Sequence, residues 1–118
     1  MGDRANVLVK YDDKDSGVYL YTHWGGSDLP STLQQALKKR ERWDDSQYLT
    51  RIIFCTMVGQ DWDGTTGYGI SSMVGDGDDR VLEVNVEDAT VSFGGKTWTF
   101  EQFVKLGSRQ IRKVWRED

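Results

Sequence analysis

The chain has 118 residues, 37% of them hydrophobic with five Trp, five Tyr and four Phe, and nineteen acidic against fifteen basic residues give a net charge of −4. That length suits one domain with its own apolar core, the composition excludes a disordered chain, and mild acidity without a long run of either sign argues against duplex DNA or RNA as a partner. The one cysteine, Cys55, excludes an internal disulfide and fits a reducing cytoplasmic setting; no segment approaches the roughly 20 apolar residues of a membrane span, so no membrane partner is expected.

The opening MGDRANVLVK lacks an apolar stretch of signal-peptide length, and Asn6 stands where a myristoylation signal prefers Ser or Thr, so neither is expected. Ala5, Val7 and Val9 then alternate with Asn6, Leu8 and Lys10. DDKDSG, from Asp12 to Gly17, reads as a turn, and alternation resumes from Val18 to Trp24, so a β-hairpin is predicted. Pairing Tyr11 with Val18 sets Val7 opposite Thr22, Asn6 opposite His23 and Arg4 opposite Gly25. One face then holds Ala5, Val7, Val9, Val18, Leu20, Thr22 and Trp24, suited to a core. The other carries Leu8, Lys10, Tyr19 and Tyr21 and ends in Arg4, Asn6 and His23.

SDLPSTLQQALKKRERW predicts an amphipathic helix: Ser27 or Asp28 caps, Pro30 sits in the first turn, and Leu29, Leu33, Ala36, Leu37 and Trp43 fall at helical spacing. Lys38, Lys39, Arg40 and Arg42 would form its basic C-terminal half. A second helix is expected from a cap at Asp44, with Gln47 in the capping-box position and a stripe of Tyr48, Leu49, Ile52, Ile53, Thr56 and Met57 up to Gly59.

TGYGISSMV reads as a strand in which Gly67 and Gly69 leave one face bare, so another element or a ligand must approach that backbone closely. VLEVNV places Leu82, Val84 and Val86 on one face, and TVSF-GG-KTWTF is a hairpin with Val91 opposite Trp98. Thr99 with Gln102 caps a short helix through Phe103, Val104 and Leu106. The expected fold is a single α+β domain over residues 1–107, in the order ββααβββα, with a largely antiparallel sheet and two to three helices on one face. Residues 108–118 read as a basic amphipathic tail, docked or free.

His23 is the only histidine, so imidazole chemistry must use it. Arg4, Asn6, Tyr21 and His23 converge at the open end of the hairpin, a cluster able to hold an anionic or nucleotide-like ligand. Gly25-Gly26 leading into a helix start adds free backbone N–H groups, although no phosphate-loop fingerprint surrounds them. Cys55 lies among apolar residues, the usual setting of an inert thiol. No GxSxG elbow surrounds Ser71 or Ser72. The Asp61, Asp63 and Asp76, Asp78, Asp79 groups lack the terminal ligand of a calcium loop, and one Cys with one His cannot make a zinc site. Neither metal nor cofactor is expected.

The blocks GDRAN, YTHWGG and TGYGIS resemble those of a family of small uncharacterised proteins of bacteriophages, prophages and bacterial genomes, a likeness running from Gly2 to about Val104. The resemblance implies no established activity, and it points to a phage-type setting in a host cytoplasm, with a host protein or defence pathway as the target. The resulting expectation is a non-catalytic binding module for a polar or anionic small molecule, with Arg4, Asn6, Tyr21, His23, Trp24, Gly25, Gly26, Tyr68 and Ser71 as site residues. Two alternatives stand beside it: an interaction or inhibitor protein using exposed aromatics and basic helix faces, and a small hydrolase-type enzyme using His23.

Overall fold

Alternating β-branched and aromatic residues make Ala5–Lys10 (β1) and Val18–Thr22 (β2) an antiparallel pair. The computed structural model, which describes residues 2–12, 17–76 and 79–116, builds that pair into a six-stranded sheet. The other strands are Tyr68–Ser71 (β3), Val81–Asn85 (β4), Thr90–Phe93 (β5) and Lys96–Thr99 (β6), and the spatial order is β3-β2-β1-β4-β5-β6. Every neighbouring pair is antiparallel except β1 with β4. Four helices complete the domain: Leu29–Leu37 (α1), Ser46–Val58 (α2), Phe100–Val104 (α3) and Ser108–Arg116 (α4). The class is α+β with a largely antiparallel sheet in the chain order ββααββββαα: the six strands fall on the segments read as strands, one more than the expected order ββααβββα counts, and the basic tail adds a fourth helix.

Val7, Val9, Leu20, Leu82, Val84 and Val91 form the inward rows of the sheet, each almost or wholly buried against Leu33, Leu37, Leu49, Ile53 and Phe103 of the helices. Each such side chain contributes about 1.5–3 kcal/mol on burial. Val91 faces Trp98 across the β5–β6 hairpin as expected.

The β1–β2 register differs from the sequence reading. Val9, not Tyr11, faces Val18, so Val7 faces Leu20 and Asn6 faces Tyr21. The cause lies on the other side of β1: the carbonyls of Lys10 and Tyr11 accept hydrogen bonds from Val86 and Glu87 at 2.9 and 3.0 Å, which ties the end of β1 to the β4 side. Because the shift is two residues, the strand side chains keep their faces, but Trp24, expected on the core face, lies beyond the end of β2 and is 54% exposed. Its consequence is that His23 comes level with Arg4 rather than Asn6. Residues 13–16 of the expected turn lie outside the described residues.

The first helix stops at Leu37, short of the basic run. The Trp43 indole N–H donates to the Leu37 carbonyl at 3.1 Å, and Arg40 and Arg42 take left-handed φ values of 55° and 59°. Arg40 pairs there with Glu101 and lies over the Trp43 ring at 5.3 Å. Lys38, Lys39, Arg40 and Arg42 therefore belong to a loop, not to a helical face. On α1 the buried Gln34 amide donates to the carbonyls of Phe103 and Leu106 at 3.0 and 2.8 Å, satisfying the C-terminal end of the short helix α3.

The N-cap of α2 is Asp45, one residue beyond the expected Asp44, and its carboxylate accepts from the Tyr48 N–H at 3.2 Å. Leu49, Ile53 and Met57 recur every fourth residue and are buried, whereas Cys55 points outward and is exposed. The Thr99–Gln102 capping box opens α3 as the sequence indicates. Residues 108–116 form α4, docked through Ile111 and Trp115, which are 2% and 6% exposed. No described helix is long and apolar enough to cross a membrane.

Candidate functional site

Strand alternation carries Asn6, Tyr21 and Gly69 into one cross-strand row on the sheet face opposite the helices. One step toward the strand ends, the Arg4 Nε–H donates to His23 Nδ1 at 3.3 Å, and the Tyr21 hydroxyl lies 2.9 Å from the same nitrogen. Both contacts converge on the single in-plane position of Nδ1, so the Arg4 guanidinium and the Tyr21 hydroxyl share that nitrogen. Gly2 lies flat on the imidazole: a Cβ there would stand 2.6 Å from His23 Cε1. The ring is half-buried and held from three sides.

Beside this cluster opens a hollow of about 250 Å³, bounded by Asn6, Tyr21, Gly69, Ser71, Met73 and Asp76. Gly69 forms open floor, since a Cβ there would meet nothing within 4 Å. The segment after β3 turns back as a wall. It is pinned by the Asn6 side-chain amide donating to the Asp76 carbonyl at 2.9 Å and by the Met73 N–H donating to Ser71 Oγ at 3.0 Å. At the rim the Arg4 guanidinium, with 46% of its side chain exposed, lies 4.0 Å from the Asp76 carboxylate.

The remaining expected site residues lie elsewhere. Trp24 packs edge-on to Tyr68, with ring centroids 6.1 Å apart, and fills the space over Gly67, where φ is +95° and a Cβ would stand 2.1 Å from the indole. Close approach therefore explains Gly67, by the protein's own Trp24, while Gly69 stays open. The Gly25 N–H donates to Thr22 Oγ1 at 3.0 Å and the Gly26 N–H to the Asp3 carbonyl at 2.8 Å.

The expected anion position at the start of the helix is already filled. Asp3 Oδ2 accepts from the Ser27 N–H at 2.9 Å, and Asp3 Oδ1 accepts from Arg80 Nη1 at 2.7 Å. Partial burial works against the Asp3 carboxylate, but the Arg80 and Ser27 hydrogen bonds outweigh it and hold its pKa below the usual carboxylate value. Gly26 is required by crowding, because a Cβ would meet the Asp3 carbonyl at 2.6 Å and Arg80 Nη1 at 2.9 Å. The Trp115 indole N–H closes the same knot, donating to the Gly26 carbonyl at 2.8 Å with Arg80 5.5 Å over its ring.

Asn6, Tyr21 and Ser71 thus line the hollow, Arg4 stands at its rim beside Asp76, and His23 lies behind Tyr21 outside the lining, whereas Trp24, Gly25, Gly26 and Tyr68 serve packing. Sequence reasoning missed Met73 and Asp76, which reach the site only because the chain doubles back, and Arg80, which nothing in its local sequence marks. Among the described residues no group of three or more His, Cys, Asp or Glu side chains could hold a metal ion. The fold and hollow define an α+β protein with a polar recess at its strand ends. Comparison with protein-family models, curated proteins and solved structures returns no match to this chain.

Proposed function

We propose that the protein is a non-catalytic binding module that takes a small polar ligand, with its anionic group beside Arg4, in the recess between β1, β2, β3 and the segment returning to Asp76. The observation that carries this reading is a hollow lined by Asn6, Tyr21 and Ser71 whose floor lacks a side chain at Gly69, with Arg4 at its rim beside Asp76 and joined through His23 to Tyr21. The half-exposed guanidinium supplies a charge-assisted donor, Asn6 and Ser71 supply polar edges, and Tyr21 and Met73 supply apolar walls. The His23 ring keeps the features that an enzyme would use, being half-buried with the Tyr21 hydroxyl 2.9 Å from Nδ1, and the non-catalytic reading rests instead on the recess, whose lining includes Asn6, Tyr21 and Ser71 but not the imidazole. The resemblance to phage and prophage proteins supports a host cytoplasm as the setting and a host molecule as the target.

The test is a thermal-shift and calorimetric screen with inorganic phosphate, a nucleoside monophosphate and a dicarboxylate, run on the natural protein and on Gly69→Val. Valine suits a strand and meets open space, so the unliganded variant should melt as before while losing the ligand-induced shift. Equal shifts in both proteins, or none in either, would overturn the reading.

A second reading, an interaction protein, rests on one observation: β3 ends the sheet, and Ile70 and Met73 on or beside it are 62% and 71% exposed. Ile70→Lys should then abolish capture of a host protein; unchanged capture would dismiss this reading.

A further inference from the structure

The far edge of the sheet, across the molecule from β3, carries a second recess. There β6 ends the sheet, so the outward side of its backbone faces no strand among the described residues. Alongside it, β6, Leu106 and α4 enclose a groove of about 260 Å³ lined by Lys96, Trp98, Leu106, Gln110, Lys113 and Val114. Trp98, Leu106 and Val114 are half-buried and make an apolar floor, and the exposed Lys96 and Lys113 stand on its two sides.

Charge is strongly uneven about this groove. The chain is acidic overall, yet six of its fifteen basic residues and only one of its nineteen acidic residues fall between Lys96 and Arg116. That one acid, Glu101, is engaged by Arg40 and Lys105. Lys96, Arg109, Arg112 and Lys113 pair with no carboxylate among the described residues.

We propose that this groove binds an extended acidic peptide segment of a partner protein, laid along β6 as an added strand. On the outward edge of β6 the Thr97 N–H and C=O are the main-chain groups offered for that mode of recognition, the Thr99 N–H being held by Gln102 Oε1 at 2.9 Å, and strand alternation dictates the sequence it reads. Side chains two residues apart on the partner point the same way, so an apolar residue enters over Trp98 while an acidic residue two positions away meets Lys96 and the other flanking acid reaches toward Lys113 on α4. Leu106 and Val114 beside Trp98 make the floor aliphatic as well as aromatic, which suits an apolar peptide side chain better than a stacked base.

Fluorescence anisotropy tests the proposal with a labelled peptide of the pattern Glu-Thr-Leu-Thr-Glu flanked by Ser. The controls are a scrambled peptide, one with Pro replacing each Thr, and a single-stranded oligonucleotide of similar length. The expected result is saturable binding of the patterned peptide, weakened about tenfold or more by Lys96→Glu with Lys113→Glu. Both positions are exposed, so the melting temperature of that variant should stay unchanged. Proline blocks main-chain pairing and should abolish binding. No binding at millimolar peptide, equal binding of the proline or scrambled control, indifference to the double variant, or tighter binding of the oligonucleotide would each overturn it.

Discussion

Asp3 and Arg80, 77 positions apart in the chain, meet through a 2.7 Å hydrogen-bonded ion pair with the N–H of Ser27 on the other carboxylate oxygen. The folded state therefore prefers the ionised carboxylate. A depressed pKa contributes stability that is present above the ordinary carboxylate value and is lost as the pH falls through the lower, folded value. Asp3→Asn should make the acid limb of the melting curve shallower than in the natural protein. At neutral pH it should cost on the order of 1 kcal/mol, the range of part-exposed ion pairs. An acid limb as steep as the natural one in Asp3→Asn would show that other groups set it.

Trp115 should carry the docking of α4. Its ring is 6% exposed and edge-on to Phe93 at 5.2 Å, so Trp115→Ala is expected to cost about 3–5 kcal/mol in urea unfolding. Trp115→Phe keeps much of the contact but leaves the Gly26 carbonyl without its indole donor, and should cost about 1–3 kcal/mol. If removing residues 108–118 left the unfolding midpoint unmoved, this account of the helix would be wrong.

Gly67 and Gly69 should respond in opposite ways to a single methyl group. Gly67→Ala faces a φ of +95° and the Trp24 ring, so a loss of at least about 1–2 kcal/mol is expected. Gly69→Ala meets open space and should fall within about 0.5 kcal/mol of the natural protein. Chemical denaturation of the two variants side by side decides the matter.

Cys55 should label quantitatively with a thiol reagent in the native protein, because its side chain is exposed on α2. Cys55→Ser is expected to unfold within about 0.5 kcal/mol of the natural protein. Labelling seen only after denaturation would contradict the placement.

Much of this architecture is legible in the order of residues, and the failures have identifiable causes. The hairpin faces survive a wrong register because the error is an even number of residues, whereas the register itself depends on β4, which no local pattern reveals. Composition misleads at Cys55, set among apolar neighbours, while spacing does not: Leu49, Ile53 and Met57 mark the buried stripe, and Cys55 falls between the last two on the opposite side. Lys38 to Arg42 have good helical propensity, but the Trp43 indole and Glu101 draw that segment out of the helix. Around the recess, Arg4, Asn6, Tyr21 and His23 follow from alternation alone. That Gly25-Gly26 greets an internal carboxylate instead of an external anion could be known only once Asp3 was placed beside Ser27.

Gly26 donates its N–H to the Asp3 carbonyl and accepts, through its own carbonyl, from the Trp115 indole. Segments from opposite halves of the chain are thus clasped at one residue, and the entropic cost of closing so long a loop grows only slowly with its length. The clasp works as a non-covalent cross-link, so a loss at either bond should loosen the grip of the other.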